Sequence, residues 1–236
     1  MSESFGVAKW LARNVADAMG LEIRRKRQHL QLLQGYGIQT VLDIGANSGQ
    51  FACQARRLLP RATIHSFEPL PDVLEDLKKR MAGDALFFAH GVALGDKDST
   101  AVIYRNEFTP SSSLRPLGEV HLRAFPEASR VEAVTVRCCT LDGWADGQSL
   151  EGPLLIKLDV QGYEDRVIQG GVRTIPTARV AVVEVSFVEL YRGQKLFDSQ
   201  YEALRGLGFR CIGMVENVYE PASGRILQAD ALFEKE

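Results

Sequence analysis

The sequence predicts an α/β fold, a mostly parallel sheet with helices on both faces, and three observations carry that prediction. Residues 41 to 51, Val-Leu-Asp-Ile-Gly-Ala-Asn-Ser-Gly-Gln-Phe, run from a short apolar strand with one acid through a Gly-spaced turn into a helix. A second apolar strand, Thr63 to Phe67, closes on Glu68-Pro69. Strand-like and helix-like patterns then alternate, and each crossover in such a chain lays a helix on a face of a parallel sheet. With 236 residues, 45% hydrophobic and 25% charged, the chain is long enough for one well-filled core.

The elements follow in order. Residues 4 to 34 have helical spacing, with Phe5, Trp10, Leu11, Val15 and Met19 on one face and Ile23, Leu30 and Leu33 continuing after a break at Gly20. This places an N-terminal helical extension at 1–36 before a main domain at 37–236. Strands are expected at 41–45, 63–67, 86–92, 154–159 and 180–187, with helices at 50–59 and 71–82 joining the first three. Between Asp98 and Asp142 the alternation stops. Strand-like runs at 100–104 and 133–138 flank a polar stretch from Arg105 to Arg130, which reads as a binding loop or lid because long connections in compact domains tend to be functional. A helix over 199–207, closed by Gly208, leads to strand-like runs at 209–215 and 226–233 around a turn at Pro221 to Gly224, which reads as an antiparallel hairpin.

Composition narrows the function classes. A formal charge of −2 and a pI near 6.1 supply no global basic field, so nucleic acid is not indicated as a partner. Arg24, Lys26 and their neighbours form a basic cluster, which in most proteins is a solvated helix face. Cys53, Cys138, Cys139 and Cys211 lack C-x-x-C spacing, which reads as free thiols in a reducing compartment. No apolar run approaches the ~18 residues of a membrane span. The first residues lack a charged segment followed by an apolar one. The expectation is a soluble cytoplasmic protein without stable membrane insertion.

The two strand ends carry the chemistry. Gly45 and Gly49 let the backbone turn tightly, and the first N–H groups of the following helix would face a ligand. The pattern is not G-x-G-x-x-G, because Asn47 stands where a glycine would admit a pyrophosphate. A nucleoside ligand without a pyrophosphate is favoured, and S-adenosyl-L-methionine fits, with Asp43 attracting its cationic end and Glu68 holding ribose hydroxyls. In the second half, the apolar run Leu154 to Leu158 delivers Asp159 at a strand end, followed by a Gly turn and a helix ending at Gly170-Gly171. Ligands bind outside these carboxyl ends in doubly wound sheets, so Asp159 should lie near Asp43, Gly45 and Glu68. The loop at 105–130 adds Thr109, Ser111, Ser112, Ser113, Arg115, His121 and Arg123, an inventory suited to a polar substrate.

These pieces together resemble the FkbM family of S-adenosylmethionine-dependent methyltransferases. The resemblance rests on Asp43-Ile44-Gly45-Ala46-Asn47, Phe67-Glu68-Pro69, Ala93-Leu94-Gly95, Ser112-Ser113-Leu114 and Lys157-Leu158-Asp159-Val160-Gln161-Gly162-Tyr163-Glu164. It continues through Glu184-Val185-Ser186-Phe187 and Gln228 to Phe233, and covers residues 40 to 235. It implies a Rossmann-like class I methyltransferase fold, a seven-stranded mostly parallel sheet with a C-terminal antiparallel hairpin. It also implies methyl transfer to a hydroxyl of a sugar or secondary metabolite. By position, the resemblance gives Asp43, Gly45, Ala46, Asn47 and Gly49 to the methionine part, Glu68 and Pro69 to the ribose, and Val92 and Ala93 to the adenine. Asp159, Ser113 and Glu184 would face the reacting centre, with Arg115 on the substrate side.

Methyl transfer is an in-line displacement with a neutral thioether leaving, so alignment should dominate and a modest base should suffice. Asp159 is the expected proton acceptor, and His121 competes with it because imidazole titrates near neutrality. A divalent metal is possible in such chemistry, but no second or third carboxylate stands beside Asp159 in sequence, so none is expected. Two other readings remain open: a nicotinamide-dependent oxidoreductase on a Rossmann sheet, and a non-catalytic protein that binds an adenosyl ligand. The N-terminal helices, through Phe5 and Trp10, are a candidate homodimer contact.

Overall fold

β1 (Thr40–Ile44) is buried along its whole length, as its apolar run requires of a central parallel strand covered on both faces. In the computed structural model, which describes residues 30–106, 112–124 and 131–236, β1 pairs in parallel with β2 (Thr63–Phe67) on one side and β7 (Leu154–Leu158) on the other. β3 (Phe87–His90) extends the sheet beyond β2, and β8 (Ala178–Ser186) extends it beyond β7. The C-terminal hairpin of β9 (Phe209–Tyr219) and β10 (Ile226–Lys235) completes it, β10 lying antiparallel between β8 and β9. The strand order is β3-β2-β1-β7-β8-β10-β9. This is the seven-stranded, mostly parallel sheet with an antiparallel hairpin that the resemblance implied.

Helices cover both faces. α1 (Gln50–Leu58) buries Phe51, Ala52 and Ala55, and α2 (Pro71–Arg80) buries Val73 and Leu77, each set at helical spacing. α2 begins with Pro71, whose fixed φ and missing N–H suit a first turn. One apolar cluster joins Leu42, Ile44 and Ile156 to Val167 and Ile168 of α5 (Glu164–Gln169) and Leu204 of α6 (Phe197–Gly206). A second, on the opposite face, joins Val41, Ile64 and Leu155 to α1. Leu30 and Leu33 belong to that second cluster, and Gln31–Tyr36 form a 3-10 turn against it. Residues 30–36 therefore pack against this face of the main sheet. The helices expected over 4–29, with Phe5, Trp10 and the Arg24 cluster, lie outside the described residues.

The strand expected at 86–92 is β3, which is shorter and ends at His90. The chain leaves the main sheet at Gly91, and β4 (Ala93–Gly95) pairs instead with β6 (Val131–Thr140). β6 also pairs antiparallel with β5 (Ser99–Asn106), giving a three-stranded sheet in the order β4-β6-β5. Ile103, Val136 and Cys138 of this small sheet pack on Leu70 and Val73 at the start of α2. The segment expected to be an irregular loop contains a bridge between Tyr104 and Ser113 and a short helix, α3 (Glu119–Ala124). Another short helix, α4 (Leu141–Ala145), is capped by the Thr140 side chain, which accepts from Gly143 N. All four cysteines are free thiols. No helix among the described residues is long and apolar enough to cross a membrane.

Candidate active site

At the end of β1 the chain turns through Gly45 at φ 83° and Asn47 at φ 47° into Gly49 at φ 90°. Gly45 is required by contact as well as by conformation, because a Cβ there would lie 1.8 Å from the backbone oxygen of Asp159. The two strand ends therefore touch, as Asp159 N donates to Ile44 O at 3.0 Å. Gly49 serves the turn and faces Leu77, where a Cβ would come within 2.8 Å of Cδ1. No side chain caps the N-terminus of α1, and Gln50 and Phe51 line the adjacent cavity. The positive end of that helix dipole is thus available to an anionic group.

Glu68 stands across the turn from Gly45. One carboxylate oxygen accepts from Asn47 N at 3.0 Å and the other from Leu70 N at 2.9 Å, which fixes the group while leaving a lone pair on each oxygen. Burial pushes its pKa up to about 7, against the pull of those two donated bonds.

Lys157 and Asp159 come from the end of β7. Lys157 Nζ donates to Asp159 Oδ2 at 2.7 Å and lies over the Phe51 ring at 5.4 Å from its centroid. Burial opposes charge on this ammonium, but Asp159, Asp43 and Asp230 outweigh it and raise the pKa. Asp159 is likewise pushed up by burial, yet Lys157 and the bond from Gln161 leave it below the ordinary carboxylate range.

Further acids follow Asp159 across the sheet. Asp230 pairs in register with Glu184 on one side and Glu216 on the other. Burial, and then Asp159, raise Asp230 to about 6 and carry Glu184 well above the usual range. Like charges set opposite one another on adjacent strands repel, and that repulsion adds to burial in raising Asp230 and Glu184.

These residues surround a cavity of about 270 Å³. Gly45, Ala46 and Asn47 form one wall, Glu68 and Pro69 another, and Asp159 the floor. Val92 and Ala93, with Leu70, Val73 and Ile103, give an apolar slot, while Ser113 comes from the insertion. The structure thus brings together most of the expected residues.

Besides Gly49, which serves the turn, four expected site residues stand apart from the cavity lining. Asp43 is fully buried one layer beneath, where Oδ2 accepts from Ser66 Oγ at 3.0 Å and Oδ1 has no hydrogen-bond partner among the described residues. Its burial raises its pKa to about 6. It bonds Ser66 and lies within electrostatic reach of Lys157, outside the residues that line the cavity. Glu184 stands behind Gln161, whose amide donates to both its oxygens. Arg115 is occupied by a bidentate pair with Asp165 at 2.9 Å and by a bond to the Gly193 carbonyl. His121 is buried in α3 against the edge of Tyr191, with ring centroids 5.3 Å apart. Neither Arg115 nor His121 lines the cavity.

Sequence reasoning missed Lys157, Gln161, Glu216 and Asp230, all of which line it. The signal for Lys157 was present, since a lysine inside an otherwise apolar strand needs a buried counter-charge. Among the described residues no group of three or more His, Cys, Asp or Glu side chains is placed to hold a metal ion.

Against this geometry, the model of the methyltransferase FkbM domain matches residues 43–211. The chain belongs to the FkbM methyltransferase family. It is 31% identical over 161 residues to 2-O-methyltransferase NoeI of Sinorhizobium fredii, covering 65% of this chain and 66% of that protein. It is 23% identical over 146 residues to the hexuronic acid methyltransferase AglP of Haloferax volcanii, covering 61% of this chain and 54% of that protein. The match therefore spans somewhat under two thirds of the first relative and about half of the second. Among solved structures, TehB from Haemophilus influenzae shares the fold with a TM-score of 0.50 at 8% identity, over 91% of this chain and 64% of that one. The FkbM match begins at Asp43 and ends at Cys211, so it takes in the Gly45 turn, Glu68, the insertion and the Asp159 strand end.

Proposed function

We propose that this chain transfers a methyl group from S-adenosyl-L-methionine to a hydroxyl oxygen of a small molecule, either a sugar or a sugar-bearing secondary metabolite. The observation that carries this reading is that Glu68, Asp159 and the Gly45 turn line one cavity. The donor fits these residues. Glu68 has acceptor lone pairs for a ribose diol, the slot at Val92 and Ala93 suits a flat base, and the uncapped start of α1 suits a carboxylate. The printed activities of the two relatives, 2-O-methylation and hexuronic acid methylation, support an acceptor of sugar type.

When bound, the donor supplies a methyl group on a sulfonium whose departure as a neutral thioether needs no acid. The protein's part is to bind, align and take a proton. Alignment of acceptor oxygen, methyl and sulfur supplies roughly 7 to 11 kcal/mol of the barrier. A positioned base adds about 10² to 10⁴ in rate, which is about 2.7 to 5.4 kcal/mol, so positioning dominates. Asp159, held ionised by Lys157, is a weak base. It is sufficient here, because the acceptor oxygen loses its proton only after it has become cationic. Ser113 and the acids of β9 and β10 offer hydrogen bonds to further hydroxyls of the acceptor.

The test is calorimetry with S-adenosylhomocysteine, followed by methyl transfer from labelled donor to a library of sugars and hydroxylated metabolites. Asp159→Asn should lower turnover by about 10² to 10⁴ while leaving the affinity for S-adenosylhomocysteine within a few fold. Unchanged turnover would remove Asp159 from the reaction. Binding without transfer to any hydroxyl would favour a non-catalytic adenosyl-binding protein, and binding of NAD in place of S-adenosylhomocysteine would favour an oxidoreductase.

A further inference from the structure

Gln161 sits at φ 56°, in the left-handed region that a non-glycine side chain rarely adopts. Such conformations persist where the surroundings over-determine them, and here three different elements hold the residue. Its Nε2 donates to Asp159 Oδ1 at 2.8 Å and to the Glu184 oxygens at 2.9 and 3.0 Å. Its Oε1 accepts from the hydroxyl of Tyr191, a fully buried side chain, which fixes which way the amide faces. Its backbone oxygen accepts from Ser113 Oγ at 2.6 Å, so the insertion is fastened to the same residue. The turn stays in place because Gly162, at φ 87°, has no room for a side chain against Tyr191.

We infer that Gln161 is the positioning residue that sets the orientation and the charge of Asp159, and this rests on the methyl-transfer reading above. Asp159 has its Oδ2 on Lys157 and its Oδ1 on Gln161, so both oxygens are held by donors and its face toward the cavity is fixed. The same amide bridges Asp159 to Glu184, the nearest acid on the next strand. Without that bridge the amide donor to both carboxyls is lost, and their contact rests on the proton that the raised Glu184 holds. The charged groups around Asp159 are Lys157 on its own strand, Glu184 on β8, Asp230 on β10, Asp43 on β1 and Glu164 on α5. Of these only Lys157 is a cation, so removing Gln161 takes one donor from Asp159 and leaves it Lys157 and the bond from the protonated Glu184. The Tyr191 hydroxyl gives the device its direction. A glutamine amide that could flip would present its oxygen to two carboxylates.

The experiment compares wild type, Gln161→Leu and Tyr191→Phe by three readouts. The first is the titration of the Asp159 side-chain carbon by ¹³C NMR in the absence of any donor. Removing the donated bond should move it to higher pH by about one unit in Gln161→Leu, and by less in Tyr191→Phe, where the amide is present but unanchored. The second is methyl transfer against pH. Gln161→Leu should lose at least about tenfold in kcat and show its acidic limb shifted in the same direction, with KM for the methyl donor within about threefold. The third is thermal unfolding, which identifies a variant that has lost its fold. A folded Gln161→Leu protein whose Asp159 titration and pH profile match wild type overturns the inference, and so does a loss of kcat with no movement of either. If wild type methylates no hydroxyl, the methyl-transfer reading fails by itself, and the NMR titration still decides whether Gln161 governs Asp159.

Discussion

Lys157 Nζ lies 2.7 Å from Asp159 Oδ2, two residues along the same strand end, and the pair sits at the floor of the cavity with side-chain exposures of 9% and 27%. Burying this pair separates it from the ion pairs at the surface, such as Lys79 with Asp76, where both side chains are largely solvated and the contribution is small. Breaking a buried pair by removing one partner costs about 3 to 5 kcal/mol, because the remaining charge is left uncompensated. Lys157→Met should therefore destabilise the fold by an amount in that range in urea titrations. Asp159→Asn combined with it should recover part of the loss, because the orphaned charge is then gone. Additive losses would show that the two residues act independently.

Glu68 is expected to govern donor affinity and to leave a signature in the pH dependence of stability. In Glu68→Gln the new amide must present its NH₂ to either Asn47 N or Leu70 N, both of which are donors. With a charge-assisted bond worth about 1.5 to 3 kcal/mol, S-adenosylhomocysteine should bind roughly 10- to 100-fold more weakly by calorimetry. The sign of the stability effect follows from the direction of the shift. Burial raises the folded pKa to about 7, above the ordinary unfolded value of about 4.3, so the folded state holds a proton that the unfolded state has lost between those values. That contribution is present at acidic pH and is lost as pH rises through about 7. The Tm difference between wild type and Glu68→Gln should thus shrink or reverse from pH 4 to pH 8. His65, lowered to about 4 by burial and then by His90, has the opposite slope between about 4 and 6.5, but it is present in both proteins and cancels. A difference that grows with pH would contradict the buried, proton-holding Glu68.

What could be read in the chain was what repeats locally. The apolar runs at β1, β2, β7 and β8, the Gly45 turn and the hairpin after Gly208 each carry their own period or turn chemistry, so the main sheet and the walls of the cavity were legible. The second sheet was not. The run at 86–92 reads as one strand, yet it ends at His90, and β4 beyond it pairs with a strand some 40 residues later rather than with the main sheet. His121 looked available because it stands within the long polar stretch between Arg105 and Arg130, whereas it packs edge-on against Tyr191, 70 residues away. The expectation that Asp43 attracts the ligand's cationic end carries no information on its burial, and the neighbouring strands β2 and β7 bury it completely. Gln161 and Asp230 gain meaning only when β7, β8 and β10 are laid side by side, because Glu184 and Glu216 reach them from neighbouring strands.

His121 is expected to be a packing residue. It is 5% exposed, lies edge-on to Tyr191 and does not line the cavity. His121→Phe keeps an aromatic ring in that site, so methyl transfer should stay within ~3-fold of wild type, far short of the ~10² that loss of a general base brings. The pH profile should also keep its shape near neutrality. Loss of a limb near pH 6.5 in this variant would return His121 to the reaction.

Two glycines with positive φ separate conformational strain from contact. Gly37, at φ 63°, has nothing within 4 Å of the place a Cβ would take, so Gly37→Ala meets only the left-handed penalty of about 1 to 2 kcal/mol. Gly45, at φ 83°, meets the same penalty and places its Cβ 1.8 Å from Asp159 O. That overlap cannot be relieved by rotating a side chain, since both partners are backbone and Asp159 N is bonded to Ile44 O on the same pair of strands. Relief requires prising β1 from β7 at the centre of the sheet. Gly45→Ala should therefore cost more than ~4 kcal/mol or prevent folding, against the small loss at Gly37, with both read by chemical unfolding and by S-adenosylhomocysteine binding. Similar losses at the two positions would mean that backbone strain alone sets the requirement at Gly45 and that the close approach of the two strand ends does not.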